Sequence, residues 1–394
     1  MTARRALALT GVVPLVAACD VFFATEVELP TAYAAVSAGG DHTCALDHDG
    51  HAYCWGRGEN GELGDGRVRN SAVPVAVAGA HAYVAVTAGE HHSCALTEDG
   101  VAHCWGWNKY GQLGTGSTVG LGVPTGIAGG LRFAALSAGS FHTCGVTPDG
   151  AAYCWGENGN GQLGNGTATG STVPVAVAGG LSFVAISSGG GHTCALTAAG
   201  AAYCWGLNHL GQLGDGTVAN AWTPQPVAGG IAFASIDAGA AHTCGFARDG
   251  AAYCWGSNGY GEVGNTAIGL PRDPGPTEPS VVYGGDRLTW ISAGAHVTCG
   301  VTEGALALCW GLGVYGQLGN GETVNIATPR LVVDTPAQLA PRRLRVRTID
   351  IGGGHVCALS TDNEIYCWGS GDFGQLGNPG YTMSTVPVRI ADGG

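Results

Sequence analysis

The chain has 394 residues, 71 of them glycine, with 11% charged residues and a formal net charge of −13. Its one lysine is Lys109. An acidic surface of this kind repels phosphate backbones and anionic lipid heads, which sets nucleic-acid binding aside and leaves membrane contact to an anchor.

The first element is not part of a fold. Arg4 and Arg5 precede an apolar run from Ala6 to Val16, followed by small residues and Cys19, the pattern of an export signal. Pro14 and Asp20 interrupt a run already near the minimum for a membrane span. The stretch Leu15-Val16-Ala17-Ala18-Cys19 resembles the bacterial lipoprotein signal, in which the cysteine is lipidated and becomes the new N-terminus. Residues 1–18 are therefore read as the signal and 19–32 as a tether. Loss of Arg4 and Arg5 takes the net charge from −13 to −15.

From Tyr33 onward the chain repeats itself. The phrase HTCALDHDGHAYCWG at His42 returns from His92, His142, His192 and His242, and in looser form from His296 and His355. The Cys-Trp-Gly triplets start at Cys54, Cys104, Cys154, Cys204, Cys254, Cys309 and Cys367. Each unit holds an apolar run such as Tyr33-Ala-Ala-Val-Ser-Ala, the two cysteine segments, a Gly-rich loop and a Pro-Val run. These are four short strand patterns bounded by Gly, Pro and Asp, with no amphipathic helix pattern of comparable length. Four strands seven times over predict an all-β, seven-bladed propeller across 33–394, with insertions near 266–288 and 333–347. The Pro-Val run Val386-Pro-Val-Arg-Ile stands last, and no such run precedes Tyr33. The expectation is that this C-terminal strand completes the first blade and closes the ring.

The cysteines fall on a hairpin. With His48, Asp49 and Gly50 as a three-residue loop ending in left-handed Gly, Leu46 faces Ala52, Ala45 faces Tyr53 and Cys44 faces Cys54. Directly opposed positions bring Cβ atoms to about 4.5–5.5 Å, close to disulfide reach. The same arithmetic pairs Cys94–Cys104, Cys144–Cys154, Cys194–Cys204, Cys244–Cys254, Cys299–Cys309 and Cys357–Cys367. The competing readings are metal ligation, for which no CxxC spacing is present, and free buried thiols. Fourteen cysteines at paired spacing favour bridges and an oxidising compartment. In the sixth copy Cys299 comes one place late after His296, and Gly304 one place early, so its bridge is the least secure.

Other patterns carry less. Gly159 to Gly164 matches GxGxxG but lies between strand patterns with no helix after it, which removes the context for phosphate binding. The histidines His42, His92, His142, His192, His242, His296 and His355 are spread too widely around a ring to hold one tetrahedral metal, so each is read as bonding backbone between neighbouring blades. Arg342, Arg343, Arg345 and Arg347 read as a solvated edge strand. No HExxH or GxSxG motif is present and no cofactor or metal site emerges. The variable loop position, occupied by Asn60, Tyr110, Asn160, Leu210, Tyr260, Tyr315 and Phe373, forms a ring on one face if each loop sits alike in its blade. With Trp107 and Trp222 nearby, the candidate binding face comprises Trp107, Tyr110, Leu210, Trp222, Tyr260, Tyr315 and Phe373.

The segments Trp105-Gly-Trp-Asn-Lys-Tyr-Gly-Gln-Leu-Gly and Trp205-Gly-Leu-Asn-His-Leu-Gly-Gln-Leu-Gly, each preceded by His-x-Cys-Ala-Leu, resemble the regulator of chromosome condensation repeat. The resemblance covers about Tyr33 to Ile390 and implies a seven-bladed propeller. Family members act as a guanine-nucleotide exchange factor that binds chromatin, as ubiquitin-ligase modules and, among secreted bacterial ones, as β-lactamase inhibitors. This chain departs from the founder in its export signal and its paired cysteines, and no exchange-factor residue is carried over onto it. The expected function is a non-catalytic protein-binding module, monomeric and without cofactor, held at the cell envelope or surface by an N-terminal lipid, with an unknown protein as partner. Inhibition of a secreted or periplasmic enzyme and nucleotide exchange on a small GTPase are the alternatives.

Overall fold

The structure, a computed structural model, describes Pro30 and residues 32–266, 274–333 and 344–391. The signal, Cys19, most of the tether, and Arg342 and Arg343 lie outside the described residues. Among the described residues there is one short 3-10 turn, Ala228–Gly230, and no helix long and apolar enough to cross a membrane.

Blade one is an antiparallel sheet of β1 (Tyr33–Ala38), β2 (His42–Asp47), β3 (Ala52–Gly56) and β4 (Ser71–Ala76), in that order. Six further four-stranded sheets follow, running from Tyr83 to Gly126, Ala135 to Ala176, Ala185 to Pro226, Phe233 to Val281, Leu288 to Leu331 and Val346 to Arg389. The first strand of each is innermost and lines a central channel. In blade five the insertion leaves an outermost strand of two residues, Ser280–Val281.

The repeated phrase folds as its hairpin arithmetic requires. Leu46 pairs with Ala52, Ala45 with Tyr53 and Cys44 with Cys54. All seven sulfur pairs lie at bonding distance, with Cα atoms 4.0–4.1 Å apart, Cys299–Cys309 included. In blade six the left-handed turn position is taken by Ala305 (φ 59°), not by Gly304, and in blade seven by Asn363 (φ 68°). The Trp-Gly pair has its own logic. The register slips between Cys54 and Gly56, and Gly56 sits at φ 100° against the backbone of Asp41 and His42, where no Cβ fits. This bulge turns Trp55 out of its own sheet.

Hydrophobic clusters lie between blades, so no blade has a core of its own. Leu63 of blade one packs with Trp105 of blade two, Leu163 with Trp205, Leu213 with Trp255, Val263 with Trp310 and Leu318 with Trp368. Each tryptophan Nε1–H donates to a main-chain carbonyl of the preceding blade, Trp105 to Glu62 at 2.8 Å and Trp155 to Gln112 at 2.9 Å. Innermost strands are stitched at the channel by backbone bonds such as Gly40 N–H to Gly89 O (3.1 Å) and Gly190 N–H to Gly239 O (3.1 Å).

The ring closes, but not by exchange of a strand. The last strand, Met383–Arg389, stays in its own blade beside Ile365–Ser370, and β4 completes blade one. The Pro-Val run belongs to the end of the unit that contains it, so no strand is spare. Closure is instead an ordinary blade–blade interface. Leu376, Val388 and Ile390 pack with Tyr33 and Trp55, and Trp55 Nε1–H donates to Gln375 O at 2.9 Å.

Candidate interaction face

In every blade the Gly-rich loop is shaped by one bond. The backbone N–H of its tip residue donates to the side-chain oxygen of the Gln or Glu two places on: Asn60 to Glu62, Tyr110 to Gln112, Asn160 to Gln162, Leu210 to Gln212, Tyr260 to Glu262, Tyr315 to Gln317 and Phe373 to Gln375, at 2.8–3.0 Å. The tips therefore occupy equivalent places, and they share a face with the turns that follow the innermost strands. Gly159 to Gly164 lies in such a loop, with no helix after it.

The tips are not equally available. Tyr110 is 38% and Tyr315 52% exposed, whereas Leu210 is buried and is not part of an open surface. Trp222 is 44% exposed but lies on the outermost strand of blade four, against Gly161 of the blade-three loop, apart from Trp107. Phe373 lies beneath the Arg57 guanidinium, 5.0 Å from its ring, and Arg57 also reaches Asp41 (3.4 Å) and Glu59 (3.1 Å). Tyr260 meets His296 edge-on at 5.0 Å.

Trp107 and Tyr110 come together with two residues that sequence reasoning missed. Their centroids are 5.5 Å apart, and each lies 5.5 Å from Phe141 of the next blade. His91 packs edge-on against Trp107 at 5.8 Å. His91, Phe141 and His296 share one repeat position, directly before the strand that carries the first cysteine. Its variation from Asp41 to Gly191 to Ala241 was the available signal.

The rest of the histidine set is structural. His42, His92, His142, His192, His242 and His355 are buried, and each Nε2 lies 2.8–2.9 Å from the hydroxyl of Ser93, Thr143, Thr193, Thr243, Thr298 and Thr43 on the next blade. Those hydroxyls give their own hydrogens to Gln or Glu carbonyls, as Thr143 does to Gln112 O at 2.8 Å, so the network assigns the imidazole proton to Nε2. The partner is thus a side chain, not the expected backbone. His296 does not belong to this set: its insertion shifts the register by one, and Val297 takes the histidine place opposite Gly311. Val356 replaces the matching threonine, and both valines are buried in one cluster. Burial above all holds the six imidazoles neutral, lowering His42, His92, His192 and His355 to about 3 and His142 and His242 to about 4.

His296 instead faces Glu262 at 3.3 Å. Burial pushes the Glu262 carboxyl up, but the bonds it accepts, from His296 first and then from backbone N–H groups, together with the neighbouring His242 ring, outweigh this and bring it below its ordinary value. In the channel wall Asp237 and Asp350 take places held by hydroxyls elsewhere, accepting Ala293 N–H (2.8 Å) and Ala38 N–H (2.9 Å) as Ser37 accepts Ala88 N–H (3.0 Å). Burial, then the charge of Asp237, raises Asp350 to about 6. On the opposite face, Asp47, Asp49 and His51 converge in the first hairpin turn. Asp47 there accepts the N–H groups of Asp49 and His51, which makes it a turn cap. Arg345 and Arg347 are exposed, bonding Gly304 O and Ser360 O, as an edge strand implies.

The mouth of the channel is a cavity of about 270 Å³ lined by Gly and Ala of the innermost turns, with Asp41, Glu90 and His91 at its rim. Seven glycines, Gly39, Gly89, Gly139, Gly189, Gly239, Gly294 and Gly352, stand where a Cβ would strike the next blade.

Comparison with known proteins agrees with this architecture. The profile of the regulator of chromosome condensation (RCC1) repeat matches residues 49–96, 99–146, 149–196, 199–246, 306–359 and 362–393. Human E3 ubiquitin-protein ligase HERC2 is 33% identical over 99 residues, which is 25% of this chain and 2% of that protein's length. Prp20p from Saccharomyces cerevisiae superposes with a TM-score of 0.71 at 24% identity, covering 81% of this chain and 80% of that one. Human WBSCR16 gives 0.74 at 18% identity, over 85% and 88% of the two chains. The structural likenesses establish the fold, and with the repeat matched over more than half of its residues, the chain belongs to the regulator of chromosome condensation (RCC1) repeat family.

Proposed function

We propose that this chain is a non-catalytic protein-binding propeller that works outside the cytoplasm and recognises its partner through the face bearing the Gly-rich loops. The observation that carries this reading is the collection of aromatic side chains on that face: Trp107, Tyr110 and Phe141 in contact, Tyr260 on His296, Phe373 under Arg57, and Tyr315 exposed. Tyrosine and tryptophan held by a rigid scaffold bury much area at little entropic cost. The seven sulfur pairs support an oxidising compartment, and Cys19 is the residue that a lipid would anchor. Exchange on a cytosolic GTPase needs a reducing environment that these pairs oppose. The likeness to Prp20p, described as binding Gsp1p and histones, is one of fold.

The test places a photo-crosslinking amino acid at Tyr315 on the loop face or at Asp149 on the turn face, in intact cells of the native host. Adducts from position 315 alone, accessible to a membrane-impermeant label, are expected. Adducts from position 149 alone, or none from either, contradict the reading.

A further inference from the structure

We propose that the channel rim at blades two and three is the docking site for a protein loop that sets a lysine or arginine beside apolar residues. This rests on the protein-binding reading and names the partner's chemistry. Trp107, Tyr110 and Phe141 form a triangle with 5.5 Å sides and interplanar angles of 85°, 62° and 58°. Rings packed edge to face at that spacing leave no hollow for a cation between them. The cluster is a filled platform that offers apolar surface outward, with Tyr110 38% exposed.

Charge beside the platform selects the partner. Glu90 carries a carboxylate 42% exposed, with His91 Nε2 3.8 Å away, and lines the channel mouth. Glu157 follows Trp155-Gly156 on the other side, its N–H bonded to Phe141 O, and its carboxylate accepts Gln162 Nε2–H at 3.4 Å. Among the described residues no lysine or arginine pairs with either carboxylate. The nearby cation, Lys109, lies over the Tyr110 ring at 5.9 Å. An apolar platform between two carboxylates without cationic partners, on a chain of net charge −13, complements a basic–apolar loop. The cavity of about 270 Å³ at its side gives a long side chain room to enter.

The experiment selects phage-displayed, disulfide-closed random peptides on the full mature chain and measures one selected peptide against variants. Selected sequences are expected to pair Lys or Arg with aromatic or aliphatic neighbours. Affinity is expected to fall about thirty-fold in Trp107→Ala, about three-fold in each of Glu90→Gln and Glu157→Gln, and steadily with salt. The two glutamine variants keep the shape of the site and carry the test if Trp107→Ala fails to fold. Acidic or uncharged selected sequences overturn the proposal. So does a self-dimer, or chito-oligosaccharide binding, that Trp107→Ala abolishes while no peptide is selected. Binding lost in Tyr315→Ala but not in Trp107→Ala overturns this site while sparing the face. Binding indifferent to both overturns the face as well.

Discussion

His355 in the last blade and Thr43 in the first are 312 residues apart in sequence, yet the imidazole Nε2 lies 2.8 Å from the hydroxyl. The same link joins five other neighbouring pairs of blades, so the closing interface is built like the rest of the ring. Between blades six and seven the link is replaced by Val297 and Val356, a dry pair in a large hydrophobic cluster.

That replacement yields the first prediction. Thr43→Val leaves a buried N–H of His355 without an acceptor and is expected to cost about 1–3 kcal/mol. His355→Val adds a cavity and is expected to cost about 2–4 kcal/mol. The double variant reproduces the Val297–Val356 solution, so the losses should fall short of additivity by about 1 kcal/mol or more in urea unfolding. Strictly additive losses would mean that the two groups are not coupled.

Acid should unfold the protein steeply. An imidazole held neutral at about 3 or 4 when folded takes up a proton near 6.5 when unfolded, so the unfolded chain binds more protons between those values. Stability is complete above the unfolded value and is lost as pH falls, by roughly 2 kcal/mol per histidine at pH 5. Asp350, raised to about 6, works in the opposite sense between its ordinary value and 6, as do Asp237 and Glu157, which burial also raises, three carboxyls against six imidazoles. The urea midpoint should drop sharply from pH 7 to pH 5. A flat profile would contradict the neutral, buried ring.

Ala305 holds a left-handed turn that glycine holds in five blades. Ala305→Gly is expected to stabilise by about 0.5–1 kcal/mol, the relief of strain exceeding the entropy that glycine adds to the unfolded chain. Gly50→Ala should destabilise, since a Cβ there meets Tyr83 O at 2.7 Å as well as the unfavourable φ. Thermal melting of the two variants in opposite directions checks both.

The channel glycines make a further case. A Cβ on Gly139 would lie 2.5 Å from Gly189 O, where Ser140 N–H already donates. Gly139→Ala, at a position outside the left-handed region, is expected to cost more than about 2 kcal/mol from the close contact alone, whereas Gly129→Ala, at φ 91° with nothing near its Cβ, costs only its backbone strain. Equal melting temperatures for the two would remove close packing as the reason for the glycine ring.

What was legible in the sequence was local or periodic. Hairpin arithmetic placed Cys44 opposite Cys54 because loop length fixes register within ten residues. Periodicity fixed the number of blades but not the phase of the unit, and so Met383–Arg389 was expected in blade one although it completes blade seven. The histidine positions were plain, but their partners lie 51 residues on in the next blade, one place beyond the repeat length, and only ring geometry brings them together. Ring geometry likewise brings Phe141 of the next blade onto Trp107 and Tyr110, a contact that the spacing within one repeat does not show. His296 was misassigned because its insertion falls inside the phrase used for alignment, whereas strand pairing shows that Val297 holds the place.

The proposed exported, cysteine-stapled binding propeller is tested first by the intact mass of the protein from its own cells, alkylated before and after reduction. Fourteen repeat cysteines that react only after reduction, with lipid mass on Cys19, are the expected result. Thiols that alkylate from the outset on an unprocessed chain would contradict both the staple and the export, and the binding face would then have to be tested inside the cytosol.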